Sequence, residues 1–201
     1  AAPLDAAFVA RNQEQRAGIL PGGRGEAVNL RGLGPAPVVQ APLGASLLFD
    51  GFLDSAARWD DIARLRDATR LPLLLKGIMA PEDAEQAIAA GADGIVVSNH
   101  GGRQLDCVPP TADALVEVVD EVGGEVEVFV DGGIRRGGDV LKALALGARA
   151  VLVGRPYLWG LAVGGEAGVS NVLKVLRDEL DLDMALSGRP TVESIDRTLV
   201  K

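Results

Sequence analysis

Four short apolar runs, Leu73-Leu74-Leu75, Ile95-Val96-Val97, Val128-Phe129-Val130 and Val151-Leu152-Val153, punctuate the chain at similar intervals. Each is apolar at every position, so neither side of the strand it implies expects water, as in a parallel sheet covered on both faces. The stretches between the runs carry helical periodicity, which makes the pattern strand, helix, strand, helix. Aromatic residues supply only 3% of the 201 positions while hydrophobic residues supply 48%, so the core has to be packed from Ala, Val, Leu and Ile.

Helices are expected over 59–70, with Ile62, Leu65 and Ala68 on one side, then over 81–90, 111–122, 138–146 and 156–180. Strands are expected over 71–77, 94–98, 126–131 and 149–154, and short helical pieces around 183–186 and 192–199. Consecutive βα units build either a doubly wound sheet or the wall of a (β/α) barrel. No Gly-x-Gly-x-x-Gly follows the first strand, which weighs against a dinucleotide-binding sheet. The fold class favoured is therefore α/β, a (β/α)8 TIM barrel of which four βα units, its C-terminal half, are present, since a complete barrel needs eight. Residues 1–57 lack periodicity and are rich in Gly, Pro and Ala, including Pro21-Gly22-Gly23-Arg24-Gly25. They are expected as an irregular loop or lid, leaving 58–201 as the half-barrel.

A net charge of -8 argues against nucleic acid or an anionic membrane surface as partner. The longest mostly apolar stretch, 36–53, is interrupted by Pro37, Pro42, Gly44 and Asp50, so no bilayer span is expected, and no signal peptide is visible behind Ala1. Cys107 is the sole cysteine, which excludes an intrachain disulfide and points to a reducing, cytoplasmic setting. No metal site is expected.

Active sites of parallel α/β folds lie at the C-terminal ends of the strands. Those ends carry Lys76, then Ser98 with His100 and Arg103, then Asp131-Gly132-Gly133-Ile134-Arg135, then Gly154-Arg155-Pro156. Any one of these fits a solvated loop, but charged or polar residues after four successive apolar strands fit that reading poorly. His100 is the only histidine, three positions before an arginine, and a base beside a fixed cation suits proton abstraction from a carboxylate-bearing substrate. Gly132 and Gly133 followed by Arg135, with Gly154 and Arg155, suit a phosphate, because glycine lets backbone amides approach and guanidinium binds in a bidentate way.

The runs Leu71-Pro72-Leu73-Leu74-Leu75-Lys76-Gly77, Ser98-Asn99-His100-Gly101-Gly102-Arg103-Gln104-Leu105-Asp106, Asp131-Gly132-Gly133-Ile134-Arg135-Arg136-Gly137 and Gly154-Arg155-Pro156 resemble the FMN-dependent 2-hydroxy-acid oxidase and dehydrogenase family, in order, over roughly 59–186. The resemblance implies an enzyme that oxidises a small 2-hydroxy acid to a 2-oxo acid with FMN. It implies His100 as general base, Asp131 paired with His100, Arg103 on the substrate carboxylate and Lys76 near the flavin N1 and C2 carbonyl. Ser98 is implied against the flavin ring, Asp131 and Gly132 in the cofactor site, and Gly133, Arg135, Gly154 and Arg155 around the phosphate. The family's N-terminal half, with its tyrosines, has no counterpart in this sequence, and residues 1–12 lack the Gly-Arg-Arg of its second carboxylate-binding arginine. A companion N-terminal half-barrel or a homo-oligomer is the expected macromolecular partner. The alternative is a truncated, non-catalytic half-barrel that binds FMN or associates with a companion half. A different FMN barrel enzyme, such as an isomerase, is disfavoured by His100 and Arg103 together.

Overall fold

A computed structural model describes residues 58–200 of the chain. In order these form α1 (Trp59–Ala68), β1 (Leu74–Ile78), α2 (Pro81–Ala89), β2 (Gly94–Val97), α3 (Thr111–Val122), β3 (Glu127–Asp131), α4 (Gly137–Ala145), β4 (Ala150–Leu152) and α5 (Arg155–Leu186). Two 3-10 turns, Val192–Ser194 and Arg197–Leu199, close it. The irregular segment expected over 1–57 lies outside the described residues.

All strand pairs are parallel and the sheet order is β1-β2-β3-β4, the order of the sequence. That order separates the two folds left open by the βα pattern. A doubly wound sheet reverses direction at a switch point, whereas a barrel wall adds each strand beside the last. The described residues form such a wall.

Register sorts the strand residues onto two faces. Leu75, Ile95, Val97, Val128, Val130 and Val151 pack with Ala84, Ala87, Leu115 and Val118 of the helices, and Ile95, Val97, Leu115 and Val118 are wholly buried. The opposite face carries the row Lys76, Val96, Phe129 and Ala150, matched strand to strand, and above it Asp131 beside Leu152. This second face is a barrel interior, and Leu74 and Leu152 on it remain 45% and 42% exposed among the described residues.

Element ends differ from expectation where packing intervenes. β1 begins at Leu74 and not at 71, and its register shifts between Lys76 and Ile78, with Gly77 at φ 104° absorbing the irregularity. The residues expected as helical pieces at 156–180 and 183–186 fall in α5, which is two helices joined at a kink where Gly164 and Gly165 leave helical geometry. The chain folds back there until Gly160 and Gly168 touch, so closely that a Cβ at Gly168 would fall 1.9 Å from the Gly160 carbonyl oxygen. No helix of the described residues is long and apolar enough to cross a membrane.

Candidate active site

Strand alternation brings Lys76, Ser98 and Asp131 to the same face at the ends of three adjacent strands. Their side chains meet. Lys76 Nζ lies 2.9 Å from Asp131 Oδ2 and donates to Ser98 Oγ at 2.7 Å, while Ser98 Oγ donates to Asp131 Oδ1 at 2.6 Å. Ser98 is 3% exposed, so a hydroxyl that is costly to leave unpaired is fully used. Its oxygen also accepts the backbone N–H of His100 at 3.1 Å, which ties the loop after β2 to this cluster.

Asp131 therefore does not take the place expected for it beside His100. Its carboxylate is engaged by an ammonium and a hydroxyl, and the nearest polar partner of His100 Nδ1 is Gln104 Nε2, at 3.2 Å. The reason is positional and electrostatic. His100 lies beyond the strand in a left-handed turn, whereas the Lys76 ammonium and the Ser98 hydroxyl already hold the Asp131 carboxylate. Gln104 was not singled out in the sequence. Its four-residue spacing from His100 in a loop carries no signal, since only the fold of that loop makes the two adjacent.

The loop 132–136 is set by Asp139, in the first turn of α4, whose Oδ2 accepts from the backbone N–H of both Arg135 and Arg136 at 3.0 Å. A Cβ at Gly133 or at Gly154 would meet no atom within 4 Å, so both backbones border open space. A cleft of about 380 Å³ occupies that space, lined by Lys76, His100, Arg103 and Asp131 on one side and by Gly132, Gly133, Arg135, Gly154 and Arg155 on the other. Its volume falls in the range of small-ligand sites. Of the residues singled out in the sequence, only Ser98 stands outside the lining, buried directly beneath it. Arg155 opens α5 and donates from Nη2 to the Gly101 carbonyl at 3.2 Å, bridging the ends of β4 and β2. Among the described residues the guanidinium groups of Arg103 and Arg135 have no hydrogen-bonding partner, which leaves two cations free at the cleft. Tyr157, the only tyrosine of the chain, also lines it; its place within helical sequence gave no hint of this.

The site can hold an anion at one end, between two arginines and two glycine backbones, and can offer a base and a second cation at the other. Among the described residues no group of His, Cys, Asp and Glu could hold a metal ion.

The family model described as FMN-dependent dehydrogenase matches residues 4–201. The chain is 58% identical to mouse (Mus musculus) 2-hydroxyacid oxidase 1 over 149 residues, 74% of this chain and 40% of that protein. It is 48% identical to L-lactate oxidase of Nostoc sp. over 202 aligned positions, 98% of this chain and 55% of that protein. Among solved structures, a mandelate oxidase variant with (S)-mandelic acid superposes with a TM-score of 0.70 at 51% identity, covering 79% of this chain and 47% of the other. The chain spans about half the length of the relatives it matches. By the extent of the family match and the level of identity, the chain belongs to the FMN-dependent dehydrogenase family.

Proposed function

We propose that this protein oxidises a small 2-hydroxy acid to the corresponding 2-oxo acid, using FMN. The observation that carries the reading is the convergence, at one end of a parallel sheet, of the single histidine, an arginine with no partner among the described residues, the Lys76–Ser98–Asp131 cluster and a glycine-arginine anion cradle. The residues present fit the phosphate end of FMN, because the Gly133 and Gly154 backbones border open space and Arg135 and Arg155 flank it. When bound, FMN supplies the two-electron acceptor that no side chain can provide.

The chain's own residues do the rest. Arg103 holds the substrate carboxylate through its planar guanidinium, orienting C2. His100 takes a proton from the C2 carbinol. Lys76, fixed in place by Asp131 and Ser98, would stabilise the negative charge that the reduced flavin carries, and Ser98 would contact the ring. Gly132 leads the backbone from this cluster into the phosphate cradle of Gly133, Arg135, Gly154 and Arg155. The named relatives act on different 2-hydroxy acids, so the substrate is assigned at the level of that class.

A second reading, a non-catalytic half-barrel, draws on the exposed Leu74 and Leu152 and on the chain's share of its relatives' length. Catalysis on this view needs four further βα units to wall the cleft, in the same polypeptide or another. The cytoplasmic setting, inferred from a lone cysteine, is also a proposal, checked by fractionation.

One experiment separates the readings. The purified protein is loaded with FMN, and its visible absorbance is followed anaerobically as glycolate, lactate or mandelate is added. Bleaching is expected with at least one of them, and His100→Ala should keep the flavin spectrum while slowing bleaching at least about a hundredfold, the range for a lost general base. A bound flavin that no 2-hydroxy acid bleaches would establish the non-catalytic reading. Near-normal bleaching in the variant would remove His100 from the chemistry.

A further inference from the structure

His100 is one of two non-glycine residues with positive φ among the described residues, at 57°. It opens a run of three left-handed residues, followed by Gly101 at 68° and Gly102 at 72°. The two glycines adopt this conformation freely, but at His100 the Cβ crowds the following carbonyl. Strained backbone of this kind persists only where its surroundings hold it, and it gathers where function needs a fixed direction.

What holds the turn can be named. The His100 N–H donates to Ser98 Oγ at 3.1 Å, and Arg155 reaches the Gly101 carbonyl at 3.2 Å. Gln104 Nε2 lies 3.2 Å from His100 Nδ1, and the other contacts come from Asn99. Its backbone oxygen accepts the Gly102 N–H at 3.1 Å, and its side-chain Oδ1 accepts the same N–H at 3.1 Å. From the other end of the amide, Nδ2 donates to the Pro109 carbonyl at 3.4 Å and so closes the loop ten residues on. The amide is also packed against the end of β3, since a Cβ at Gly132 would lie 3.3 Å from Asn99 Oδ1. His100, Gly101 and Arg103 line the cleft whereas Asn99 does not.

We propose that Asn99 is a positioning residue for the oxidation: its side-chain amide clamps the left-handed turn that presents the His100 imidazole to the cleft. The proposal rests on the catalytic role given to His100 above. The bond that fixes the turn is the one the Asn99 side-chain acceptor makes to Gly102 at 3.1 Å, with the longer donor bond to Pro109 a secondary tie. Aspartate keeps the acceptor for Gly102 and loses the donor to Pro109. Alanine keeps neither, and His100 then relaxes out of its crowded conformation and swings the ring aside.

The test uses the full chain with FMN bound and compares Asn99→Ala with Asn99→Asp. Because the chain has one histidine, the imidazole signals in a nuclear magnetic resonance spectrum report on His100 alone. In Asn99→Ala, kcat for the 2-hydroxy acid is expected to fall about a hundredfold, the scale of a misplaced reacting group, while KM changes less than about twofold. The imidazole signals should move toward those of free histidine. In Asn99→Asp, kcat is expected to recover to within about threefold of the unsubstituted protein and the imidazole signals to stay in place, because the acceptor for Gly102 is retained. An Asn99→Ala protein with unchanged kcat and unmoved signals overturns the clamp, as does an Asn99→Asp protein that loses activity as fully as alanine. The aspartate arm decides the matter by itself should the alanine variant not fold. If the unsubstituted protein bleaches with no 2-hydroxy acid, the functional reading has failed, and the imidazole signals still decide whether Asn99 holds the turn.

Discussion

Ser98 has one hydroxyl and three partners: it donates to Asp131, and it accepts from Lys76 and from the His100 backbone. A hydroxyl can make one donated and two accepted bonds, so the buried oxygen has no capacity left over. Lys76 and Asp131 form a pair whose charges largely cancel at a distance, leaving Arg103, Arg135 and Arg155 as the cleft's net cationic groups. With Arg135 and Arg155 proposed for the phosphate, Arg103 is the cation proposed for the substrate carboxylate. Arg103→Lys should then behave as a non-conservative change, raising the KM for a 2-hydroxy acid by about tenfold or more, because an ammonium cannot reproduce two parallel bonds. FMN affinity should hold. Steady-state kinetics with flavin titration checks both, and an unchanged KM would assign the carboxylate to a different residue.

The elements that carry the site are held by close backbone contacts. At Gly137, the first residue of α4, a Cβ would fall 2.2 Å from the backbone nitrogen of Leu180, so α4 and α5 meet there without room for any side chain. Glu179 fastens the junction. Its carboxylate accepts from the Gly137 N–H at 2.8 Å and from Arg136 Nε at 3.1 Å, and pairs with Arg136 Nη2 at 2.9 Å. The backbone bond first, and the Arg136 guanidinium second, hold its pKa below the ordinary glutamate value. A carboxyl group lowered in the folded state adds stability above its unfolded value and loses it as pH falls through the folded one. Glu179→Gln should thus melt at a lower temperature than the unsubstituted protein at neutral pH, and the gap should close as the solution is acidified below the ordinary carboxylate range. Thermal melts across that range test it. A gap of constant size would assign the stabilisation to shape and not to charge.

At the scale of the molecule, the wall of four strands ends in two edges, β1 and β4, that have no neighbour among the described residues. Its interior face carries Leu74, Val96, Phe129 and Leu152. Leaving such a face wet forfeits roughly 25 cal/mol for each Å² of apolar surface, and unpaired strand edges invite pairing. Purified residues 1–201 should therefore self-associate or take up a companion half-barrel, and turnover should be confined to the associated form. Light scattering beside flavin reduction is the check. A monodisperse monomer that oxidises a 2-hydroxy acid would overturn it.

Most of the architecture was legible without coordinates, because strands buried on both faces leave unbroken apolar runs and the helices between them keep a 3.6-residue period. Helix 111–122 matches its expected ends, and the residues after each apolar run did converge on one cleft. What packing sets was not legible: α5 kinks at Gly164 and Gly165 and brings Gly160 against Gly168, a contact that no local pattern encodes. Sequence alone determined which chemical groups gather at the strand ends, since strand order and period 2 dictate that. Tertiary structure alone decided who pairs with whom. Asp131 faces Lys76 and Ser98, not His100, because neighbouring strand ends share a face while the histidine rides on a left-handed turn beyond the sheet.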